Sequence, residues 1–381
     1  MTTPHTTRNR GLFKGLAAGA ALALSLSACG DSDPGAQGGG EVHTFVLANG
    51  TQAGTPHEAV QDRYLEMLEE RSDGRIEIDR TDFQVICPLD EIAECVSDGR
   101  ADLGTTINDY TPHMLPSMSV ISIIGMNTDM QAAISAMYDV HQDYQPVIQD
   151  LEDNNLHLAS SWPVGTLFIG SQEPVENLDD LNGLNARAAG PVTQQILSDA
   201  GMNISAITAA ETYEALQRGV IDSVASALDF ATQYAVAEQV PYWTDPGLGQ
   251  YTAYGMWWNK DAYDSLPEDL QQVVDEVTDE LNYSEAMTAY NEQIETVCDA
   301  MIDHEDVEDF TRWDQTETQR WQDEIGDRAE QLWLDTVATY NFENPEAYLD
   351  AYKAHYEEHA SDDNVTDSAA ACVDRWQEQN G

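Results

Sequence analysis

Hydrophobic and polar residues follow two different periods along the first two thirds of the chain. Residues 44–48 (TFVLA) form a short β-type run, and residues 56–71 carry apolar side chains at helical spacing. The turn sequence SDG at 72–74 ends that helix, and a second strand pattern follows it. This exchange of strand and helix continues to about residue 260, which predicts α/β layers around a largely parallel sheet. From about Pro267 onward the pattern is almost wholly helical and strongly acidic.

One segment of this pattern occurs twice. Residues 91–102 (EIAECVSDGRAD) match residues 211–222 (ETYEALQRGVID), with Glu, Glu, Gly and Asp at the same spacing and an offset of 120. In each copy we expect a short amphipathic helix that ends at a left-handed Gly and is followed by a strand. Ligands of α/β sheets bind beyond the carboxyl ends of strands, so two similar lobes would form a cleft from 105–110 and 225–230. Chance similarity of two helix–Gly–strand units is the alternative.

The N-terminus has the layout of a secretory signal. Three basic residues within the first 14 precede an apolar stretch at 16–26, which is shorter than the about 20 residues of a transmembrane helix. The stretch ends in Leu-Ser-Ala-Cys29, which resembles a bacterial lipobox. We expect 1–28 to be a signal peptide, Cys29 to carry lipid and 29–41 to form a tether, so that the protein works outside the cell membrane but anchored to it. An ordinary signal cut nearby, with Cys29 incidental, is the alternative.

The charge of the chain excludes several classes of function. It has 69 Asp and Glu against 16 Lys and Arg, a formal net charge of -53. Nucleic-acid binding and adsorption to anionic lipid both need a basic surface, which this composition does not supply. Only Lys14, Lys260 and Lys353 are lysines, so the remaining basic residues are Arg. An acidic surface poor in lysine is typical of proteins that stay soluble in concentrated salt.

Four cysteines remain once Cys29 is set aside. An even number in an oxidising compartment favours two disulfides, with three possible pairings. A local Cys87–Cys95 pair would join a loop to a helix. A Cys298–Cys372 pair would fix the C-terminal segment and stabilise the fold by about 4 kcal/mol. Free buried thiols are the alternative, and the absence of a CxxC motif argues against zinc or redox chemistry.

Four stretches resemble the solute receptors of TRAP (tripartite ATP-independent periplasmic) transporters. Residues 173–187 (EPVENLDDLNGLNAR) are similar to that family's P-I-x-x-x-x-D-L-x-G-x-K-I-R stretch, and 211–222 to its E-V-Y-x-A-L-Q-x-G-V-V-D motif. Residues 70–76 (ERSDGRI) resemble E-x-S-x-G-R-I, and 260–267 resemble K-x-x-x-x-x-L-P. The motifs occur in the family's order and the resemblance covers roughly residues 42–300.

The resemblance implies a two-lobed periplasmic-binding-protein-like fold, similar to type II, with a ligand cleft between the lobes. Lobe I would comprise 42–163 and 253–291, lobe II would comprise 164–252 and 292–330, and acidic helices in 331–381 would pack on both. It also implies a monomeric extracytoplasmic receptor that delivers a small carboxylate to a membrane permease.

Arg187 stands at the position of the family's ligand-binding Arg. A guanidinium can hold a carboxylate through two parallel hydrogen bonds, which suits this role. Pairing of Arg187 with Asp179 or Asp180 is the structural alternative. The family often has Asn where this chain has Ser226, and often an Arg in the segment that here contains Trp162. These departures favour a monocarboxylate with an apolar or zwitterionic body over a dicarboxylate or acidic sugar.

Further candidates lie at the predicted strand ends. Asn108 and Tyr110 follow the first repeat, Phe230 follows the second, and Trp257 lies on a strand that returns across the lobes. Each of these aromatic residues could equally belong to the core. Asp109 and Asp229 are again 120 residues apart.

The sequence offers little for other chemistry. His355 and His359 are spaced by four, but without the HExxH pattern they indicate a solvated helix face rather than a metal site. No phosphate-binding or dinucleotide fingerprint is present, so we expect no cofactor and no enzyme activity. A ligand-sensing lipoprotein coupled to a membrane kinase is the alternative function, and a secreted acidic hydrolase is a more remote one.

Overall fold

The computed structural model describes residues 40–361 and 365–380. The predicted signal peptide, Cys29 and the tether up to Gly39 lie outside the described residues. None of the helices in the described part of the chain is both long enough and apolar enough to cross a membrane.

The described chain alternates strands and helices until about residue 260 and is then mainly helical. The strands are β1 (His43–Asn49), β2 (Ile76–Arg80), β3 (Leu103–Ile107), β4 (Leu156–Pro163), β5 (Phe168–Ser171), β6 (Asn185–Arg187), β7 (Asn203–Ser205), β8 (Ser223–Ser226), β9 (Tyr242–Asp245), β10 (Ala253–Asn259) and β11 (Asp309–Arg312). The helices are α1 (Pro56–Arg71), α2 (Ile92–Ser97), α3 (Met130–Asp143), α4 (Gln145–Asp153), α5 (Pro191–Asp199), α6 (Thr212–Gln217), α7 (Asp229–Gln233), α8 (Lys260–Asp264), α9 (Glu268–Glu280), α10 (Ala286–Ile302), α11 (Gln315–Ile325), α12 (Arg328–Thr339), α13 (Pro345–His359) and α14 (Ala369–Asn380).

The strands form two sheets, each the centre of one lobe. The sheet of lobe I has the order β2-β1-β3-β10-β4, and that of lobe II has the order β11-β9-β5-β8-β6-β7. The predicted parallel pairing is found around β1 and β6. However, β10 runs antiparallel to both of its neighbours, and so does β5. Each of these two strands is the first one after the chain crosses from one sheet to the other. The crossing reverses the direction of the strand relative to its neighbours.

The two copies of the sequence repeat have the same structure. Helices α2 and α6 each precede a strand, and Gly99 and Gly219 adopt φ angles of 72° and 67°. The final Asp of each copy also has the same role. Asp102 accepts a hydrogen bond from the backbone of β1 at 2.8 Å, and Asp222 accepts one from the backbone of β6 at 2.9 Å. The repeat therefore fixes equivalent strand pairs in the two lobes.

The C-terminal helices pack on elements of both lobes. Helix α10 packs against α1 of lobe I and α7 of lobe II, while α12 packs on α5 and α13 packs on α3. The structure pairs Cys298 of α10 with Cys372 of α14, and it pairs Cys87 with Cys95. The first disulfide thus connects the last helix to the one that contacts both lobes.

Candidate functional site

Arg187 is the last residue of β6, and its side chain is only 1% exposed. Its Nε donates a hydrogen bond to the carbonyl of Ile207 at 3.0 Å. One terminal nitrogen lies 3.5 Å from both the Ala225 carbonyl and Ser226 Oγ. The guanidinium carbon also lies 4.8 Å from the centre of the Phe230 ring, a cation–π contact. The charge is therefore held by dipoles and an aromatic face, all of them neutral.

Arg187 differs from every other basic side chain in the described residues. The other twelve each lie within 4.0 Å of a carboxylate oxygen: Arg63, Arg71, Arg75, Arg80, Arg100, Arg218, Lys260, Arg312, Arg320, Arg328, Lys353 and Arg375. Asp179 pairs with Arg320, and Asp180 accepts hydrogen bonds from Asn177, so neither pairs with Arg187. A buried charge without a counterion costs several kcal/mol of desolvation. Such an arrangement suits a site that receives an anion.

Tyr110 closes the site from the other lobe. It follows β3 of lobe I, yet its hydroxyl oxygen accepts a hydrogen bond from Arg187 at 3.2 Å and another from the Ala209 amide at 3.0 Å. Between the lobes there remains a cavity of about 10 Å³ beside Arg187, Ser226 and Phe230. That volume is roughly the space of one water, so the lobes are closed on one another.

Aromatic rings form one wall of this cavity. The rings of His57 and Tyr254 stack with centroids 4.2 Å apart, and the ring of Trp162 lies nearly parallel to that of Tyr254 at 5.8 Å. Trp162 Nε1 donates to His57 Nδ1 at 3.3 Å, which leaves the ring proton of His57 on Nε2. Burial lowers the pKa of His57 to about 3, so this imidazole is neutral at physiological pH. Trp162 therefore contacts both His57 and Tyr254 without lining the cavity itself.

Two buried carboxylates flank the site, one from each lobe. Asp229 begins α7, lines the cavity and has its Oδ2 3.8 Å from His57 Nε2. Burial raises the pKa of Asp229 to about 7, although the nearby Arg187 charge lowers it in part. Asp109 of lobe I accepts hydrogen bonds from Ser122 at 2.6 Å and Thr252 at 2.5 Å. Burial also raises the pKa of Asp109, to about 6.

The structure thus brings together some of the residues that the sequence singled out. Arg187, Ser226 and Phe230 line the cavity, and Tyr110 bonds to Arg187 across it. Neither Asn108 nor Trp257 lines it. Asn108 donates a hydrogen bond to Ser161 inside lobe I. Trp257 lies within β10, and its ring packs beside Gly255 of the same strand.

Sequence reasoning missed several cavity residues, among them the polar His57, Tyr234 and Tyr251, and it gave Asp229 no role in the site. His57 lies in the first turn of α1, and no sequence motif marks it as a site residue. Tyr251 stands in the crossing between the lobes, where its hydroxyl lies 3.2 Å from that of Ser226. Its place next to the predicted β10 strand was the only available signal.

A larger cavity lies elsewhere between the lobes. It measures about 560 Å³ and is lined by the loops at 123–128 and 247–250 and by residues of α11 and α12. Its described lining contains Asp327 and Glu330 but no basic side chain. It therefore suits a carboxylate less well than the small cavity beside Arg187.

The described residues contain no group of three or more His, Cys, Asp or Glu side chains that could hold a metal ion. His355 and His359 lie on α13, and both face Asp139 of α3. They therefore contribute to the contact between these two helices.

Known proteins resemble this chain in sequence. The family model for bacterial extracellular solute-binding protein, family 7, matches residues 48–334. The ectoine-binding periplasmic protein TeaA of Halomonas elongata is 24% identical over 215 residues, which cover 56% of this chain and 62% of that protein. A monocarboxylate 2-oxoacid-binding periplasmic protein of Nostoc sp. is 24% identical over 255 residues, covering 59% and 61%. The chain thus spans about three fifths of the length of these two relatives.

A solved structure shows the same fold. A TRAP solute-binding protein from a marine metagenome, specific for aromatic acid ligands and bound to metahydroxyphenylacetate, has a TM-score of 0.74 at 17% identity. The similarity covers 84% of this chain and 100% of that protein. The family match over residues 48–334 shows that this chain belongs to family 7 of the bacterial extracellular solute-binding proteins, the extracytoplasmic receptors of TRAP transporters, a family that binds solutes and is not one of enzymes.

Proposed function

We propose that this protein captures a small carboxylate-bearing solute between its lobes and delivers it to the membrane permease of a TRAP-type secondary transporter. One observation carries the proposal: among the thirteen basic side chains of the described residues, only the buried Arg187 has no carboxylate within 4.0 Å. A solute carboxylate would supply the missing counterion.

Binding requires a change at Tyr110. In the closed arrangement its hydroxyl accepts a hydrogen bond from one terminal nitrogen of Arg187, and the cavity of about 10 Å³ admits no organic solute. We expect the lobes to separate about the crossing near Thr166 and Gln250, whose backbones form an isolated bridge. The carboxylate then takes the place of the Tyr110 hydroxyl, forming two parallel hydrogen bonds to the guanidinium. Closure of the lobes over the solute excludes water and strengthens those bonds.

The surroundings of Arg187 restrict the kind of solute. Asp229 lines the cavity as an acidic group, so a second carboxylate on the solute would meet repulsion from its ionised form. The rings of Phe230 and Tyr254 offer apolar faces instead. A monocarboxylate with an apolar or zwitterionic body fits these surfaces. The relatives described above bind ectoine, 2-oxoacids or an aromatic acid, which is consistent with this range.

The first residues of the chain support a proposal about its location. Residues 1–28 have the layout of a signal peptide, and Cys29 stands where a lipobox cysteine is modified. We propose that the mature receptor is anchored by lipid at Cys29 and reaches the permease on the segment that follows it.

A thermal-shift screen of organic acids and zwitterions tests the proposal. A solute at a hundredfold excess over its Kd should stabilise the wild type by about 2.7 kcal/mol. Arg187→Ala should abolish that shift, whereas the control Arg218→Ala should keep it, because Arg218 is an exposed partner of Glu214 on a helix surface. Full affinity in the Arg187→Ala protein would overturn the proposal.

A further inference from the structure

Asp229 is a buried carboxylate on the same cavity as Arg187, and it is 3% exposed. Among the described residues its nearest basic group is His57 Nε2 at 3.8 Å, and that imidazole is neutral. Its own backbone amide donates a hydrogen bond to it, and no side chain of the other described residues donates one within 3.5 Å. The cavity thus contains a carboxyl group and a guanidinium, and within 4.0 Å neither has a charged partner among the described residues.

The rings around Asp229 are also suited to a positive charge. The cavity is lined by His57, Phe230, Tyr234, Tyr251 and Tyr254. The faces of such rings attract organic cations as well as apolar groups, and Phe230 already shows this by contacting the guanidinium of Arg187 at 4.8 Å. A carboxylate bordered by aromatic faces can hold an ammonium, quaternary ammonium or amidinium group while excluding water.

We propose that Asp229 binds the positive charge of a zwitterionic solute whose carboxylate is held by Arg187. This inference rests on the proposed function and names its substrate class. A solute with a neutral body would leave Asp229 buried without a counterion, or would force it to take up a proton. A zwitterion pairs with both protein charges at once, so that neither ion remains uncompensated in the closed cleft.

The proposed pairing of charges also predicts whether a proton is released when a solute binds. The titratable groups near Asp229 are His57 of α1, Arg187 of β6, Tyr234 after α7, Tyr251 before β10, Tyr254 of β10, Tyr290 of α10 and Asp367 of the C-terminal segment. Burial lowers the pKa of His57 and raises that of Tyr234, Tyr251, Tyr254 and Tyr290, so these groups stay neutral near pH 6.5. Burial raises the pKa of Asp229 to about 7. A solute cation favours the ionised carboxylate, so a zwitterion should release a proton on binding at pH 6.5, whereas an acid with a neutral body should not.

Isosteric pairs of solutes test the inference. Glycine betaine and 3,3-dimethylbutanoate differ only in a cationic nitrogen that replaces a carbon, and proline and cyclopentanecarboxylate differ in the same way at one ring position. Calorimetric titration of the wild type should show the zwitterion of at least one pair bound about tenfold or more tightly than its partner. Asp229→Asn should remove most of that preference, while the carboxylate with the neutral body should stay bound through Arg187. The exposed control Asp179→Asn should retain the preference of the wild type.

The outcomes separate this inference from the proposed function. The inference is overturned if each carboxylate with a neutral body binds the wild type at least as tightly as its zwitterionic partner, or if Asp229→Asn keeps the preference. In either case Arg187 can still be the anchor. If no member of any pair binds, or if Arg187→Ala keeps full affinity, both are overturned. Should Asp229→Asn fail to fold, the affinity ratio in the wild type still decides. Calorimetric titrations at pH 6.5 in buffers of different ionisation enthalpy measure the number of protons released when the solute binds. The absence of proton release with the zwitterion would contradict the inference.

Discussion

Asp109 offers a quantitative test of how the closed cleft treats charge. Its carboxylate is buried and accepts two hydrogen bonds through Oδ2, while Oδ1 has no partner in the described structure. Burial raises the pKa of Asp109 to about 6, whereas an aspartate in an unfolded chain titrates near about 3.9. The folded protein therefore holds this proton more tightly than the unfolded chain does. The ionised group lowers the free energy of unfolding at high pH, and this loss disappears as the pH falls below about 4.

The substitution Asp109→Asn removes the ionisation and keeps the shape of the side chain. The difference in pKa corresponds to about 3 kcal/mol at pH 8, of which about 1 kcal/mol remains at pH 4.5. Any constant cost of burying the Asn amide cancels when the two pH values are compared. We therefore expect the variant to gain about 2 kcal/mol of unfolding free energy over the wild type between pH 4.5 and pH 8.

Urea denaturation at both pH values and at one fixed salt concentration measures this gain. Asp82→Asn is the matched control, because Asp82 is exposed. A difference between Asp109→Asn and wild type that stays constant across this pH range would refute the reasoning, since it would mean that Asp109 does not titrate between the two values.

Two further predictions concern the disulfides and the contact between the lobes. Replacing both cysteines of the Cys298–Cys372 pair, separated by 74 residues, should lower the free energy of unfolding by about 4 kcal/mol, and replacing the Cys87–Cys95 pair by about 2.6 kcal/mol; urea denaturation that gives the reverse order would contradict the loop-entropy account. Gly190→Ala should weaken solute binding about tenfold, because its Cβ would lie 2.6 Å from Asp109 Oδ2 across the cleft. Gly183→Ala is the control, with a φ of 90° and open space around the added Cβ, and equal affinities of the two variants would show that the close contact between the lobes does not matter.

The sequence predicted the features that depend on local pattern. Gly99 and Gly219 end their helices as expected, because a left-handed residue followed by a strand has a local signature. The equivalent hydrogen bonds of Asp102 and Asp222 follow from the same repeat. Arg187 was found through the resemblance to a family, and its lack of an acidic partner became visible only in three dimensions.

Features that depend on distant contacts could not be predicted in the same way. His57 and Tyr254 are nearly 200 residues apart, and no periodicity links them, yet their rings stack at 4.2 Å. The direction of β10 is another example, because a run of buried residues such as 253–259 is the same whether the strand runs parallel or antiparallel. The placement of Asn108 and Trp257 inside lobe I has the same cause, since a position after or within a strand does not by itself say which face a side chain occupies.

A crystal structure of the protein with the strongest solute from the thermal-shift screen tests the central claim most directly. The account predicts that both carboxylate oxygens lie about 2.7–2.9 Å from nitrogens of the Arg187 guanidinium. It also predicts that the Tyr110 hydroxyl no longer accepts the hydrogen bond that Arg187 donates to it in the closed arrangement. A solute carboxylate bound elsewhere, with the bond between Arg187 and Tyr110 intact, would contradict the account.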